Sequence, residues 1–148
     1  MLPLAPAFEL ARRFEGLRLE AYHDAAGFPT QGYGRLLSRQ RYLSLDGFPP
    51  ITVATAEAWL RADLARATRA VLRLCPVPLS EARLAALSDF AFNAGSGTLE
   101  ASALRQQVLA GRHDAVAAEF GRWVHAGGVR LAGLVRRRRA EAALYAAG

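Results

Sequence analysis

Residues 14–34 read FEGLRLEAYHDAAGFPTQGYG, a stretch dense in Gly, aromatic and acidic residues inside a chain that is otherwise mostly Ala, Leu and Arg. The hydrophobic period changes here. Before it, Phe8, Leu10, Ala11 and Phe14 recur at helical spacing, and Gly16 is placed to end that helix. Within it, Leu17, Leu19 and Ala21 alternate with Arg18, Glu20 and Tyr22, the pattern of a short strand. Asp24 to Gly27 is turn chemistry. Residues 28–34 then read as a second short strand. Pro29 argues for an edge position, and Gly32 and Gly34 for bulges or close backbone approach.

Outward from this stretch, residues 35–50 read as loop and the rest as helix. Thr52 or Thr55 can cap a helix whose stripe is Ala56, Leu60, Leu64, Ala67, Val71 and Leu74. Pro76 and Pro78 stop it. Ser80 can cap the next helix, with Leu84, Leu87, Phe90 and Ala91 inward. Thr98 to Ala110 reads as one further helix closed by Gly111. Asp114 can cap another running to Trp123, and a last helix runs from about Val129 to Ala146. The pattern is α+β: a small β-containing N-terminal lobe of about residues 14–54, and a larger helical lobe of residues 55–148 plus the first helix. A long helix joins them, and a cleft between unequal lobes is a natural substrate site.

The 148 residues suit one domain. No apolar run approaches the ~20 residues of a membrane span. MLPLAPAFELARRFEG has no basic region before an apolar core, so no secretory signal is expected. Cys75 is the only cysteine, which excludes an intramolecular disulfide; a small apolar filler at a helix end is expected. The net charge of +6 favours polyanionic partners: nucleic acid, anionic lipid or an acidic cell wall. Arg136 to Arg139 wrap around a helix and cannot all point one way. They read as a solvated face, with attraction to anionic wall polymers or lipid head groups as the functional alternative.

Three polar residues of the opening stretch suit hydrolysis. Glu15 sits at a helix C-terminus beside Phe14 and Leu17, where dipole and apolar neighbours disfavour a negative charge. A carboxyl that keeps its proton can serve as a general acid. Asp24 lies in a polar turn beside His23, where an ionised carboxylate is at ease. Glycosidases place two such carboxyls across a sugar–sugar bond. Thr30 starts the returning strand, and its hydroxyl could approach Asp24 and help hold a water. Spacing alone leaves a helix-end Glu and a turn Asp with ordinary structural roles.

The pattern Glu15-x8-Asp24-x5-Thr30 resembles that of phage-type lysozymes, the endolysins of glycoside hydrolase family 24. The resemblance extends to residues 87–128, LSDFAFNAGSGTLEASALRQQVLAGRHDAVAAEFGRWVHAGG, and to GLVRRRRAEAAL near the C-terminus; it covers roughly residues 8 to 145. It implies a lysozyme-like α+β fold and hydrolysis of the β-1,4 bond between N-acetylmuramic acid and N-acetylglucosamine in peptidoglycan. By position it implies Glu15 as general acid, Asp24 as the carboxylate that positions or activates water, and Thr30 as partner of that water. It implies no cofactor and no metal, and peptidoglycan glycan strands as partner of a monomer. It also implies synthesis in a host cytoplasm, followed by action on the periplasmic wall after membrane permeabilisation. Two positions depart from the family's usual Thr-Ile-Gly-Tyr-Gly-His. Gln31 is expected to cost packing or lie at the surface. Arg35 replaces a His thought to support the lobe, which puts local stability in question.

Further candidate substrate contacts are Tyr22, Phe28 and Leu36 in the small lobe, Phe92 and Asn93 near a helix end, and Arg130 as a cation near Glu15. An Asn amide could bind a sugar N-acetyl group or simply cap its helix; aromatic residues of small sheets are commonly core. His23, His113 and His125 read as surface or local partners. The rival functional class is a basic helical domain that binds wall, membrane or nucleic acid without catalysis. Mixed Arg distribution and no helix-turn-helix spacing speak against nucleic acid.

Overall fold

A computed structural model describes residues 5–148. They divide into two compact units, one of residues 11–63 and one of residues up to 10 together with 64–148. The division falls inside two helices, α1 (Ala5–Glu15) and α2 (Val53–Leu74).

In the smaller unit, α1 ends at Glu15, and Gly16 takes φ +68°, a left-handed stop that needs no side chain. Three antiparallel strands follow in sheet order β1 (Arg18–His23), β2 (Pro29–Gly32) and β3 (Arg35–Leu36). Tyr22 faces Thr30 and His23 faces Pro29, with a bulge between Arg18 and Tyr22. Thr30 also faces Leu36. The returning strand is therefore central and not at an edge as Pro29 suggested. All four of its residues are buried, and Pro29 is tolerated because it occupies the strand's first position. The loop expected at 35–50 begins with β3.

Gln31 does not lie at the surface. It is 2% exposed, and its amide donates to the carbonyls of Leu19 (3.0 Å) and Pro49 (2.9 Å). It thereby pins β1 and the distal loop to the central strand. Arg35 is partnered too: its Nη2 lies 3.8 Å from Asp63 Oδ1 and its guanidinium 4.9 Å from the Trp59 ring centroid.

Thr52 caps α2, accepting from the Thr55 N–H at 3.1 Å. The stripe Ala56, Leu60, Leu64, Ala67, Val71 and Leu74 is buried throughout, as its spacing predicts. In the larger unit, Ser80 caps α3 (Glu81–Ala94). The helix expected over Thr98–Ala110 is two, α4 (Ser96–Ala101) and α5 (Ala103–Leu109). Ser102 is extended between them and caps the second, accepting from the Arg105 N–H at 3.1 Å. Next, α6 (His113–Phe120) has Asp114 in its first turn and not as its cap. The last helix also starts later than expected. Gly127 and Gly128 turn a hairpin of β4 (His125–Ala126) and β5 (Val129–Arg130), and α7 (Ala132–Ala146) follows.

Phe90 is the hub of this unit's core, edge-on to Phe120 at 5.8 Å and to Trp123 at 6.0 Å. Leu87, Leu99, Leu104, Val108, Val116 and Tyr145 pack in the same cluster. Cys75 is buried there, and burial pushes its thiol pKa up, against a partial opposing pull from Arg105. The solvated face expected for Arg136 to Arg139 is half wrong: Arg136 and Arg139 are exposed, but Arg137 is 3% and Arg138 2% exposed. Arg137 grips Asp89 of α3 through two bonds of 2.9 and 2.8 Å. Arg138 approaches Glu141 to 2.6 Å and donates to Asn93 at 2.7 Å. A buried guanidinium needs such partners, and α3 supplies two of them from across the core.

Candidate active site

The end of α1, the β1–β2 turn and β2 hold the three candidate residues Glu15, Asp24 and Thr30. Glu15 is the last residue of α1 and half-buried. After Gly16 reverses the chain, β1 and β2 bring Gly34 back to it. A Cβ built on Gly34 would stand 2.7 Å from Glu15 Oε2. Only a glycine lets the backbone pass so close to that carboxylate, and its φ of +76° asks for glycine as well.

Asp24 opens the β1–β2 turn. Its Oδ1 accepts from the N–H groups of Ala26 and Phe28, both at 2.9 Å. Its backbone closes the same turn, with its N–H on Phe28 O and its own carbonyl taking the Gly27 N–H, each at 2.9 Å. The side chain is thus fixed through one oxygen. Among the described residues no side chain or backbone group donates to Oδ2. Thr30 is 5% exposed and donates its hydroxyl hydrogen to Phe28 O at 2.9 Å, which leaves its lone pairs free to accept. Tyr22 faces Thr30 across β1 and β2, and Asp24 follows directly after β1, in the turn that leads to β2.

Tyr22 reports on both carboxylates. Burial pushes its hydroxyl pKa up, Arg18 pulls it back, and the negative charges of Glu15 and Asp24 both push it up again. The Arg18 guanidinium covers the Tyr22 ring at 3.9 Å, so that ring face is occupied. Arg41 sits 5.1 Å from the Phe28 ring centroid. Leu36 is 47% exposed on β3. His23 donates its Nε2–H to Leu43 O, 2.7 Å away.

The remaining candidates belong to the helical unit. Phe92 and Asn93 lie near the C-terminal end of α3; Asn93 is exposed and accepts from Arg138. With Trp123, His125 and Arg138 it lines a cavity of about 400 Å³. Arg130 ends the β4–β5 hairpin and is exposed. His113 bonds the Tyr145 hydroxyl at 2.7 Å, a local role. Among the described residues no group of three His, Cys, Asp or Glu could hold a metal ion. Gly34 was legible only as a close-approach glycine; which group it approaches required the fold. Asp89, Arg137, Arg138 and Glu141 carried no signal as a set, since α3 and α7 lie far apart in sequence.

The fold is lysozyme-like, with one carboxyl at the end of α1 and another in the β1–β2 turn. Its structural neighbours agree: the solved endolysin from Escherichia coli O157:H7 phage FAHEc1 superposes with a TM-score of 0.85 at 32% identity, covering 98% of this chain and 93% of that one. In sequence, the chain is 37% identical over 140 residues to an endolysin of Acyrthosiphon pisum secondary endosymbiont phage 1, covering 92% of each. It is 35% identical over 141 residues to the Bacillus phage B103 endolysin, of which it spans about half, 52%. Residues 12–141 match the phage lysozyme family. The chain belongs to that family and is a peptidoglycan-hydrolysing glycoside hydrolase.

Proposed function

We propose that this chain is a muramidase that cleaves the β-1,4 bond between N-acetylmuramic acid and N-acetylglucosamine, with its two units acting as one catalytic domain. Glu15 protonates the leaving oxygen. Asp24 and Thr30 hold the attacking water: Asp24 Oδ2 accepts one of its hydrogens and Thr30 Oγ1 the other, which turns a water lone pair toward the anomeric carbon. With a water between carboxylate and sugar the reaction inverts, and the two carboxyl groups need roughly 6.5–9.5 Å between them. The observation that carries this reading is the Asp24 carboxylate, held through Oδ1 by the N–H groups of Ala26 and Phe28, while the Thr30 hydroxyl donates to Phe28 O of the same turn and keeps its lone pairs to accept.

Contacts from Phe28, Leu36, Phe92, Asn93 and Arg130 to the glycan belong to the same proposal. No helix among the described residues is long and apolar enough to cross a membrane. Synthesis in a host cytoplasm and access to the wall through a separate membrane lesion fit this reading.

Glu15→Gln tests it. Murein hydrolysis should fall by about 10²- to 10⁴-fold while the melting temperature holds. Unchanged hydrolysis would remove Glu15 as the acid. Reducing muramic-acid ends in the digest identify the bond, and their anomeric form the stereochemistry.

A further inference from the structure

Apart from Arg130, proposed above as a glycan contact, the mechanism leaves one charged cavity unused. It lies between α6, the β4–β5 hairpin and α7, holds about 240 Å³, and is lined by Arg130, Arg138 and Arg139 with apolar Val124, Val135 and Ala142 among its walls. No lining residue is acidic. Among the described residues, neither Arg130 nor Arg139 has a carboxylate within ion-pair distance. Arg138 is 2% exposed. Its Nε and Nη2 are engaged by Glu141 and Asn93, and no group among the described residues accepts from its Nη1. The other acid of the neighbourhood, Glu119 of α6, is held by Arg122 at 3.2 Å.

Three guanidinium groups face one carboxylate, Glu141, so at least two positive charges stay uncompensated. Proteins seldom gather like charges around a cavity without a counter-ion, because each raises the electrostatic cost of the others. A carboxylate ligand would neutralise one charge. A phosphate monoester carries about −1.5 to −2 at neutral pH and offers three acceptor oxygens to forked donors. The cavity also exceeds what one phosphate fills, and its apolar side can cover the carbon group that bears it.

We propose that this cavity binds a phosphate group, gripped by Arg130 and Arg139 at its mouth and by Arg138 at its wall. The ligand is inorganic phosphate or a small phosphate ester such as glycerol phosphate, the chemistry of anionic wall polymers and of lipid head groups. The site is independent of the roles given to Glu15, Asp24 and Thr30.

Isothermal titration of the full chain with inorganic phosphate and with glycerol 3-phosphate, against sodium chloride at equal ionic strength, tests it. Saturable one-to-one binding of at least one phosphate species, and none of chloride, is expected. Tighter binding of the ester identifies an esterified ligand; equal binding identifies the free anion. Arg130→Gln and Arg139→Gln should each weaken binding about tenfold, the loss of one charge-assisted contact. Arg139→Lys, which keeps the charge and loses the fork, should fall between. Both Arg130 and Arg139 are exposed, so melting curves of the variants should match the parent. No saturable binding of either phosphate species, or binding unchanged in both Gln variants, overturns the site.

Discussion

Glu15 Oε2 and Gly34 are so placed that a Cβ on Gly34 would come within 2.7 Å of the carboxylate. Gly34→Ala must therefore move Glu15 as well as strain a backbone at φ +76°. Gly16→Ala carries the strain alone, since nothing lies within 4 Å of its missing Cβ. Both variants should lose about 1–2 kcal/mol of stability. Only Gly34→Ala should also lose hydrolysis, by about 10²-fold in kcat, the scale of a 1 Å misplacement. Equal kcat values for the two variants would show that the contact does not position the acid.

Asp24→Asn separates the turn from the chemistry. An Asn oxygen can still accept from Ala26 and Phe28, so the turn and the melting temperature should persist. The anion is lost, and kcat should drop by about 10²-fold or more. A variant that keeps parental kcat would remove Asp24 from the water site.

Gln31→Ile restores the residue usual in the family and should nonetheless destabilise this chain. It leaves the carbonyls of Leu19 and Pro49 without the amide that now serves them. The expected loss is about 1–3 kcal/mol by urea denaturation. A gain in stability would mean that water replaces the amide at no cost.

The charge network of α3 and α7 predicts a pH dependence. Burial first, then a hydrogen bond shared with Asp89 and the Asp89 charge, raise the Glu141 pKa well above its usual 4.5, with Arg138 and Arg137 pulling it back. A carboxyl that holds its proton more tightly when folded stabilises fully below its unfolded pKa. That stability is lost as pH rises through the folded value. Glu141→Gln, which mimics the protonated form, should gain on the parent in melting temperature from about pH 5 to pH 8. A difference constant across that range would show that Glu141 is ionised throughout. Asp89→Asn breaks the buried pair with Arg137 and should lose about 3–5 kcal/mol by urea denaturation.

Local pattern alone established much of this protein. The stripe of α2, the Ser80 cap, the Gly16 stop and the Asp24 turn follow from contacts within a few residues, and neighbouring residues suffice to read them. The order of Glu15, Asp24 and Thr30 was likewise visible, together with the family it resembles. Tertiary structure decided what depends on distant partners. Pro29 looked like an edge residue until β3 paired on the far side of its strand. Arg137 looked solvated because its partner Asp89 stands 48 residues before it, and Arg138 because Asn93 stands 45 residues before it. Whether a polar side chain is buried depends on who meets it, and only the packed chain supplies Leu19 and Pro49 to Gln31, or Glu15 to Gly34.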